Sequence, residues 1–423
     1  MRILHISTRL ILGGSQENTV LSCEGQSRLG HDVHLAFGPI YGPEGSMLER
    51  VRAFRAGDRI ITTHEVPSMI RALHPLKDWR ATRELRALIE SIRPDIVHTH
   101  SSKAGIIGRA AAWAARRAGM SVGVIHTIHG PPFFPGQNPL IRRVYIESER
   151  WAARRCDLIV SVADAMTTQY RAQGIGRQGQ FVTVRSGMEV DKFLTPGPAE
   201  DRDSMRAALG LAPDHFVIAT VARLADQKGH DDLLDALAST LAAPAAANWR
   251  LLWVGDGWLR ERLIARAQSL GLGVCQFDKG EKPSPQTRII ITGLVPPERV
   301  PGFMRAADLL AHPSYREGLP RTVPQALLCG TPAVAYDVDG TGEACIDHQT
   351  GRLVTLGDRA ALAAAIHALA AHAPARLRLA QTGRTMCQQM FSADKMVTDL
   401  EAVYARALAA STLSAARAPR SNP

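Results

Sequence analysis

Residues 312–335 carry the sequence HPSYREGLPRTVPQALLCGTPAVA, which contains a strand end, a polar loop and a helix in quick succession. The helix is predicted to begin near residues 320–322 and to end near Gly330, and Pro332 introduces the next strand. Glu317 lies in the loop just before the helix. Free backbone N–H groups at a helix N-terminus attract phosphate, and a neighbouring carboxylate can accept hydrogen bonds from sugar hydroxyls. The stretch therefore predicts a site for a phosphorylated sugar where a strand passes into a helix.

The same alternation of short apolar strands and helices extends outward through the chain. Strands are predicted at residues 2–7, 32–37, 95–98, 121–127 and 158–161 of the first half, and at 216–221, 250–254, 288–292, 309–312 and 332–336 of the second. Strands that alternate with helices indicate parallel, doubly wound α/β sheets. Residues 195–203 (TPGPAEDRD) have the composition of a linker, and the polar residues 273–287 are predicted to form an exposed loop.

A chain of 423 residues is long enough for two domains. We predict an N-terminal domain over residues 1–195, a C-terminal domain over 204–395, and a C-terminal helix that packs back and ends in a frayed tail over 396–423. The six cysteines form no CxxC pair, so neither a zinc site nor a disulfide framework is indicated. Without a signal peptide or a long uncharged apolar run, the expected compartment is the cytoplasm.

A basic segment follows the first predicted strand of the second half. Residues 220–230 read TVARLADQKGH, which includes Arg223 and Lys228. A leaving group that gains negative charge needs fixed cations or a metal ion. No Asp-x-Asp element stands out as a metal site, so cationic side chains would have to supply that positive charge. A solvated basic loop is the alternative interpretation.

The first half offers a glycine pair and two histidine pairs after its strands. Gly13 and Gly14 follow the first strand, where a backbone without side chains can approach a ligand closely, although a tight turn explains them equally. The histidine pairs are His98 with His100 and His126 with His129. Open α/β sheets bind ligands at the carboxyl ends of their strands. Strand alternation is expected to turn the first histidine of each pair away, into a structural role, and metal ligation by the pairs is the alternative.

Taken together and in order, these segments resemble the family 4 glycosyltransferases, which are retaining enzymes of the GT-B fold. The family hallmark is a Glu, seven residues and a second Glu, inside an EGxP…EAxAxGxPVVA segment. This chain has Glu317 at the first position and Gln325 at the second. Residues 220–230 resemble the family's GRLxxxKG segment, and Gly13-Gly14 its GG(A/S)E-type loop. The resemblance covers about residues 1–400 and implies two Rossmann-like, doubly wound α/β domains that face each other across a cleft.

The resemblance also implies a role for individual residues. The expected donor-diphosphate group consists of Gly14, Arg223, Lys228, Gly318 and Leu319. Glu317 and His129 are the expected catalytic residues, the first on the donor sugar and the second orienting hydroxyls or assisting proton transfer. Gln325 is expected on the donor ribose, with an acceptor oxygen but without the charge of the family's Glu. The residues expected near the acceptor or the sugar are Gly13, His100 and Lys103.

The implied activity is transfer of a sugar from a nucleotide diphosphate sugar to a hydroxyl acceptor with retention, in the synthesis of bacterial cell-surface polysaccharide or lipid-linked glycan. The nucleotide sugar is a co-substrate, and neither a cofactor nor a metal ion is expected. Three alternatives remain: a sugar epimerase or phosphorylase of the same fold, a non-catalytic nucleotide-sugar-binding protein, suggested by Gln325, and a nucleic-acid-binding protein. For nucleic acid no aromatic-rich basic motif is visible, so no such partner is expected.

The charge of the chain bears on the acceptor. The formal net charge is +10, and the first 200 residues hold 26 Lys and Arg against 18 Asp and Glu. A predicted helix over residues 138–155 carries Arg142, Arg143, Arg150, Arg154 and Arg155. This basic helix indicates contact with an anionic membrane or a lipid-diphosphate sugar at the inner face of the plasma membrane, and a solvated helix face explains it equally.

Overall fold

The structure, a computed structural model, describes residues 1–41 and 45–417. The chain divides into two compact units: unit 1 comprises Met1–Met188 and Ala393–Pro423, and unit 2 comprises Glu189–Ser392. Residues 189–195, which the sequence analysis places in the first domain, thus belong to the second unit. Of the tail that the sequence predicts to be frayed, residues 418–423 lie outside the described residues.

Unit 1 is built around a parallel sheet with helices on both faces. Its elements before the crossing into unit 2 are β1 (Arg2–Ser7), α1 (Gly14–Arg28), β2 (Asp32–Phe37), α2 (Leu48–Ala53), β3 (Ile61–Glu65), α3 (Pro75–Ile92), β4 (Ile96–His100), α4 (Ser102–Arg117), β5 (Gly123–Ile128), α5 (Pro139–Ala153), β6 (Leu158–Ser161), α6 (Asp164–Ala172) and β7 (Phe181–Thr183). Among the described residues the strand order is β3-β2-β1-β4-β5-β6-β7, and every pairing is parallel. The order reverses between β1 and β4, and such a switch point is where open α/β sheets bind ligands.

Unit 2 repeats the architecture without repeating the sequence. Its elements are α7 (Val190–Leu194), α8 (Arg202–Ala208), β8 (Phe216–Val221), α9 (His230–Ala242), β9 (Trp249–Val254), α10 (Arg260–Ser269), β10 (Gly273–Gln276), β11 (Thr287–Ile291), α11 (Val300–Ala306), β12 (Leu309–His312), α12 (Thr322–Leu328), β13 (Ala333–Tyr336), β14 (Gly351–Val354), α13 (Arg359–Ala371) and α14 (Ala373–Met390). The described strands form one parallel sheet in the order β10-β11-β9-β8-β12-β13-β14. Its switch point lies between β8 and β12.

A long C-terminal helix, α15 (Ala393–Arg417), returns to unit 1 and packs against α1 and β5. It contributes an apolar stripe to the core under the sheet: Met396, Val397, Leu400, Val403, Tyr404 and Ala407. Gly25 of α1 permits this packing, because a Cβ at Gly25 would lie 2.4 Å from a methyl carbon of Val397. A helix that follows unit 2 in the sequence therefore completes the core of unit 1.

The prediction of an exposed loop over residues 273–287 is wrong for its first part. Residues 273–276 form β10, which pairs in parallel with β11 at the edge of the sheet. The register shifts between Gly273 and Val274, and Cys275 is buried beneath the strand. A short edge strand with polar neighbours does not show the continuous apolar run that marks an interior parallel strand.

Among the described residues, no helix combines the length and the apolar character that a membrane-crossing segment requires.

Candidate functional site

Two of the predicted donor residues meet at the switch point of unit 2. Lys228 follows β8 and Glu317 follows β12, and these neighbouring parallel strands deliver both loops to the same edge of the sheet. Lys228 Nζ donates to Glu317 Oε1 at 2.5 Å. The two side chains are only 20% and 13% exposed, so the pair is partly shielded from solvent. The structure thus brings the predicted diphosphate-binding cation and the predicted sugar-binding carboxylate into direct contact.

A histidine that the sequence analysis did not single out completes this cluster. His312 is the last residue of β12, and its Nε2 lies 3.2 Å from Glu317 Oε1, while its Nδ1 lies 3.3 Å from the hydroxyl oxygen of Thr322. Burial alone would raise the pKa of Glu317, but the charge of Lys228 and the proximity of His312 outweigh it and hold that pKa well below its usual value. Glu317 is therefore ionised at neutral pH and can accept hydrogen bonds.

The position of Lys228 depends on the glycine that follows it. Gly229 adopts φ +68°, a left-handed conformation, and a Cβ there would lie 1.9 Å from the carbonyl oxygen of Pro313. Two residues further on, the N–H of Tyr315 donates to the carbonyl of Gln227 at 2.9 Å. The two loops are thus latched together, and the latch requires a residue without a side chain.

A third loop holds Glu317 from the other side. The Glu317 N–H donates to the Asp339 carboxylate at 2.7 Å, and the Gly340 N–H donates to the Gly318 carbonyl at 3.0 Å. Asp339 has φ +46°, an unusual conformation for a residue with a side chain, and such strain concentrates at functional sites. Asp337 and Asp339 form an Asp-x-Asp element that the sequence analysis passed over, and the structure shows Asp339 supporting the backbone of Glu317.

The other predicted donor residues of unit 2 lie in the segments that follow β8 and β12. Arg223 is exposed after β8, with its guanidinium 5.9 Å from the ring centroid of Trp258. Gly255, just after β9, lies close to the backbone that precedes Arg223, because a Cβ at Gly255 would lie 2.2 Å from the carbonyl oxygen of Ala222. Helix α12 begins at Thr322, within the predicted start, so Gly318 and Leu319 precede it in the loop. Gln325 is buried in that helix; its contact with a ribose stays a prediction.

In unit 1, a buried histidine cluster occupies the switch point between β1 and β4. The parallel register places His5 of β1 opposite His98 of β4. The ring centroids of His98 and His100 are 4.3 Å apart, so the expectation that His98 turns away from its partner is wrong. Residues two apart on a strand share a face, and both rings lie on the face covered by α1 and α15. His126 lies under Gly105 of α4, with its Nδ1 3.0 Å from the Thr99 hydroxyl.

The cluster is linked by hydrogen bonds that reach the predicted catalytic histidine. His100 Nδ1 lies 3.2 Å from His129 Nε2, and His100 Nε2 lies 2.9 Å from His5 Nδ1. His5 Nε2 contacts Gln26 Oε1 at 2.7 Å. Burial lowers the pKa of His5 to about 4 and lowers the pKa values of His98 and His100 well below the usual range. These three rings are neutral at neutral pH.

The nitrogens of His5, His98 and His100 also satisfy the spacing of a three-histidine metal site, since one ligand atom from each lies within 4.8 Å of the others. The same atoms are already used in hydrogen bonds. Both nitrogens of His98 are engaged, Nδ1 with Tyr404 Oη at 2.7 Å and Nε2 with Thr127 Oγ1 at 2.6 Å. A metal ion would have to displace these bonds, so the donor set fits a hydrogen-bonded cluster better than a metal centre.

The remaining predicted residues of unit 1 are Lys103, Gly13 and Gly14. Lys103 forms an ion pair with Asp78 at 2.6 Å and also donates to the Ala72 carbonyl. Gly14 begins α1 and Gly13 precedes it; both are exposed. Gly13 has φ −178°, which any residue adopts, so its backbone conformation does not require glycine. Their proximity to a ligand stays a prediction.

His5, Gln26, Tyr404 and His312 were not predicted from the sequence as parts of either cluster. A signal existed for His5, because a histidine in the middle of the apolar strand RILHIS needs a buried partner. No local signal existed for Tyr404, which is separated from His98 by 306 residues and reaches it only through the returning helix.

Both units thus have the topology of nucleotide-binding α/β domains, and unit 2 carries a cation–carboxylate pair at its ligand-binding edge. Residues 13–187 match the family described as glycosyl transferase 4-like domain, and residues 201–386 match glycosyl transferases group 1. The chain belongs to the group 1, family 4 glycosyltransferases of the GT-B fold, and it is a glycosyltransferase.

Individual relatives agree with this assignment. The chain is similar to the Escherichia coli UDP-Gal:alpha-D-GlcNAc-diphosphoundecaprenol alpha-1,3-galactosyltransferase, 26% identical over 360 residues, which cover 85% of each chain. It is also similar to the D-inositol 3-phosphate glycosyltransferase of Segniliparus rotundus, 30% identical over 348 residues, covering 78% of this chain and 70% of that protein. Among solved structures, Anabaena Alr3699/HepE in complex with UDP-glucose has the same fold, with a TM-score of 0.76 at 21% identity over 96% of this chain and 99% of that one.

Proposed function

We propose that the protein transfers a sugar from a nucleoside diphosphate sugar to a hydroxyl acceptor, with retention of the anomeric configuration. The observation that carries the proposal is the contact between Lys228 and Glu317 at the switch point of unit 2. A cation and an ionised carboxylate at one sheet edge match the two halves of such a donor, the diphosphate and the hydroxyl-bearing sugar. Unit 2 is therefore assigned to the donor and unit 1 to the acceptor.

Donor binding exchanges one set of contacts for another. In the structure Lys228 neutralises Glu317; when a diphosphate arrives, its oxygens compete for the ammonium and leave the carboxylate to accept hydrogen bonds from sugar hydroxyls. Arg223, exposed at the end of the same strand, supplies a second positive charge. These two side chains stabilise the charge that develops on the leaving diphosphate, so the proposed reaction is independent of a metal ion.

Retention follows from front-side attack, in which the acceptor hydroxyl approaches from the side of the departing diphosphate. The leaving phosphate oxygen takes the hydroxyl proton as the glycosidic bond forms and the bond from the anomeric carbon to the phosphate breaks. Glu317 binds the sugar and is not the nucleophile in this scheme, because the ion pair with Lys228 and the proximity of His312 favour its role as a hydrogen-bond acceptor. His129 orients a hydroxyl of the reacting sugars.

The first experiment is a thermal-shift screen with UDP, GDP, ADP and their sugar conjugates. One nucleotide family should raise the melting temperature, since a ligand that binds only the folded protein stabilises it. Arg223→Ala should lose the shift, whereas the matched control Arg262→Ala, an exposed arginine paired with Asp231 in the same unit, should keep it. The product formed with the identified donor is then examined by NMR, and an inverted anomeric configuration would refute the retaining mechanism. Activity that disappears on exhaustive treatment with chelator would refute metal independence.

The acceptor is proposed to be a lipid-linked sugar at an anionic membrane, as part of cell-surface glycan synthesis. The Escherichia coli relative is named for a diphosphoundecaprenol-linked acceptor. In this chain the first turns of α3 and α5 present large apolar side chains to solvent: Leu76, Trp79, Leu140, Ile141 and Val144. Helices that return between parallel strands begin at the carboxyl edge of the sheet, so these turns lie at the same edge as His100 and His129.

The basic residues of α5 only partly support the expectation from the sequence. Arg142 and Arg150 are engaged with Gln173, and Arg155 stacks on the rings of Trp113 and Trp151. Exposed cations nevertheless lie near the first turns of both helices: Lys77, Arg80, Arg83 and Arg143. Arg154 is exposed too, but it lies at the C-terminal end of α5. An apolar surface bordered by exposed cations fits the interface of an anionic bilayer, and we place the protein at the inner face of the plasma membrane.

Vesicle co-sedimentation tests this placement. The wild-type protein should bind vesicles that contain phosphatidylglycerol more tightly than vesicles of phosphatidylcholine alone. The triple change Leu140→Ser, Ile141→Ser and Val144→Ser should weaken binding roughly a hundredfold or more, because about 1 kcal/mol for each of the three buried apolar side chains sums to about 3 kcal/mol. The control Leu377→Ser changes a residue that is equally exposed but lies in unit 2. Equal binding by all three proteins would refute the membrane surface while leaving the donor assignment intact.

A further inference from the structure

The buried histidines of unit 1 form a chain with a direction. Gln26 donates from Nε2 to Tyr404 Oη at 2.7 Å, which leaves its Oε1 to accept from His5 Nε2. A neutral imidazole has one N–H and one lone pair, so a donating Nε2 makes His5 Nδ1 an acceptor. His100 Nε2 must then donate to His5 Nδ1, and His100 Nδ1 must accept from His129 Nε2.

We propose that Gln26, His5 and His100 are positioning residues that hold His129 in one tautomer, with the proton on Nε2 and the lone pair on Nδ1. This inference rests on the proposed function, because it names the atom through which His129 forms a hydrogen bond with a sugar hydroxyl. A lone pair on Nδ1 accepts a hydrogen bond from a sugar hydroxyl, whereas the other tautomer would offer an N–H. The chain therefore selects an acceptor at this position.

The surroundings make the chain rigid and neutral. His5, His98 and His100 are fully buried, and burial keeps their pKa values low. The rings therefore stay neutral near neutral pH, and each ring nitrogen keeps its role as donor or acceptor. The ring planes of His100 and His129 lie within 26° of each other at a centroid distance of 5.4 Å.

The backbone after His100 is equally constrained. Ser101 has φ +61° and ψ 159°, a region that residues with side chains rarely occupy. Its hydroxyl lies 2.9 Å from that of Thr8, whose oxygen also accepts from the N–H of Ala104. This strained corner holds the end of β4 in place, and with it the ring of His100.

A second branch of the same cluster provides a matched control. From Tyr404 the hydrogen bonds continue to His98 and end at Thr127, without touching His129. Thr127→Val removes a buried hydrogen bond at the end of this branch. Gln26→Met removes the group that gives the other branch its direction and replaces it with a side chain of similar length. Both variants lose a buried polar group, but only one of them lies on the path to His129.

The decisive measurement is the ring ¹⁵N spectrum of protein labelled with ¹⁵N-histidine, because protonated and unprotonated ring nitrogens resonate far apart. His129 is assigned by its absence from the His129→Gln spectrum. In the wild-type protein we expect a protonated Nε2 and an unprotonated Nδ1 in spectra recorded at about pH 8.5, where an ordinary imidazole is neutral. Gln26→Met should give averaged signals from two tautomers, and Thr127→Val should leave the His129 signals unchanged.

Kinetics provide the functional readout. With the donor and acceptor of the wild-type reaction, Gln26→Met should lower kcat about fivefold or more and change the KM for the donor less than twofold, because donor contacts in unit 2 are untouched. Thr127→Val should retain wild-type kcat at a temperature where both variants are folded.

Each outcome bears on the proposal separately from the function. A wild-type His129 with its proton on Nδ1, or a Gln26→Met spectrum identical to the wild type, overturns the tautomer assignment even if sugar transfer is intact. A stoichiometric divalent metal ion retained by the purified protein overturns it too, since the metal would take the same lone pairs. A fixed Nε2–H tautomer in a protein without transferase activity would instead support the chain and refute the proposed function.

Discussion

Replacing Lys228 with Ala removes the cation that lies 2.5 Å from Glu317, and we expect kcat/KM for sugar transfer to fall about 10²–10³-fold. A unit charge about 4 Å from a phosphate oxygen contributes roughly 4 kcal/mol at an effective dielectric constant near 20. Lys228 is 20% exposed, so solvent reduces this figure somewhat. The remaining 3–4 kcal/mol, roughly, corresponds to the expected loss of rate.

The assay follows release of the nucleoside diphosphate in steady state, with circular dichroism as a check on folding. Lys228→Arg keeps the charge and should retain most of the activity that Lys228→Ala loses. Lys192→Ala serves as the matched control, because Lys192 pairs with Glu189 at 2.7 Å in the same unit but on an exposed surface. If Lys228→Ala remains folded and stays within threefold of wild-type kcat/KM, the electrostatic role of this residue is refuted.

Three further predictions concern the donor loops and the histidine cluster. Gly229→Ala should reduce transfer at least tenfold and lower the melting temperature, because its Cβ would meet the Pro313 carbonyl at 1.9 Å; wild-type rates would show that the latch does not position Lys228. Gln325→Glu should tighten donor binding about fivefold in calorimetry, since a charged acceptor strengthens hydrogen bonds from ribose hydroxyls by about 1 kcal/mol, and weaker binding would argue against ribose contact. Folded-state burial lowers the pKa of His5 to about 4 from 6.5, so the unfolded chain binds the proton first on acidification. The contribution of His5 to the free energy of unfolding is therefore fully present above pH 6.5, and about 3 kcal/mol of it is lost as the pH falls to 4. His5→Gln should remove part of this pH dependence, which melting curves recorded over that range would measure.

Most of the architecture was predictable from local patterns, because strands and helices leave their periods in the sequence. The strands at residues 2–7, 32–37, 158–161, 216–221 and 309–312 were located to the residue. Strand β10 was missed because it is short, lies at a sheet edge and is followed by polar turn residues. Residues 189–195 were assigned to the wrong unit, since a composition-based linker marks a change of character and not the point where packing changes partner.

The sequence by itself determined the family, the two-domain α/β class and the presence of a cation and a carboxylate after two strands, because these depend on short motifs and on their order along the chain. The tertiary structure alone decided what surrounds them. His312 contacts Glu317 because β12 ends at His312 and the loop that follows it folds back beside this strand end. Asp339, in a later loop, accepts a hydrogen bond from the backbone N–H of Glu317. The histidine chain depends on the parallel register of β1 with β4 and on a helix that returns 306 residues after His98. The strand register and the return of α15 to unit 1 are set by packing of the whole core. The sequence pattern alone therefore does not predict which buried polar groups form hydrogen bonds with each other.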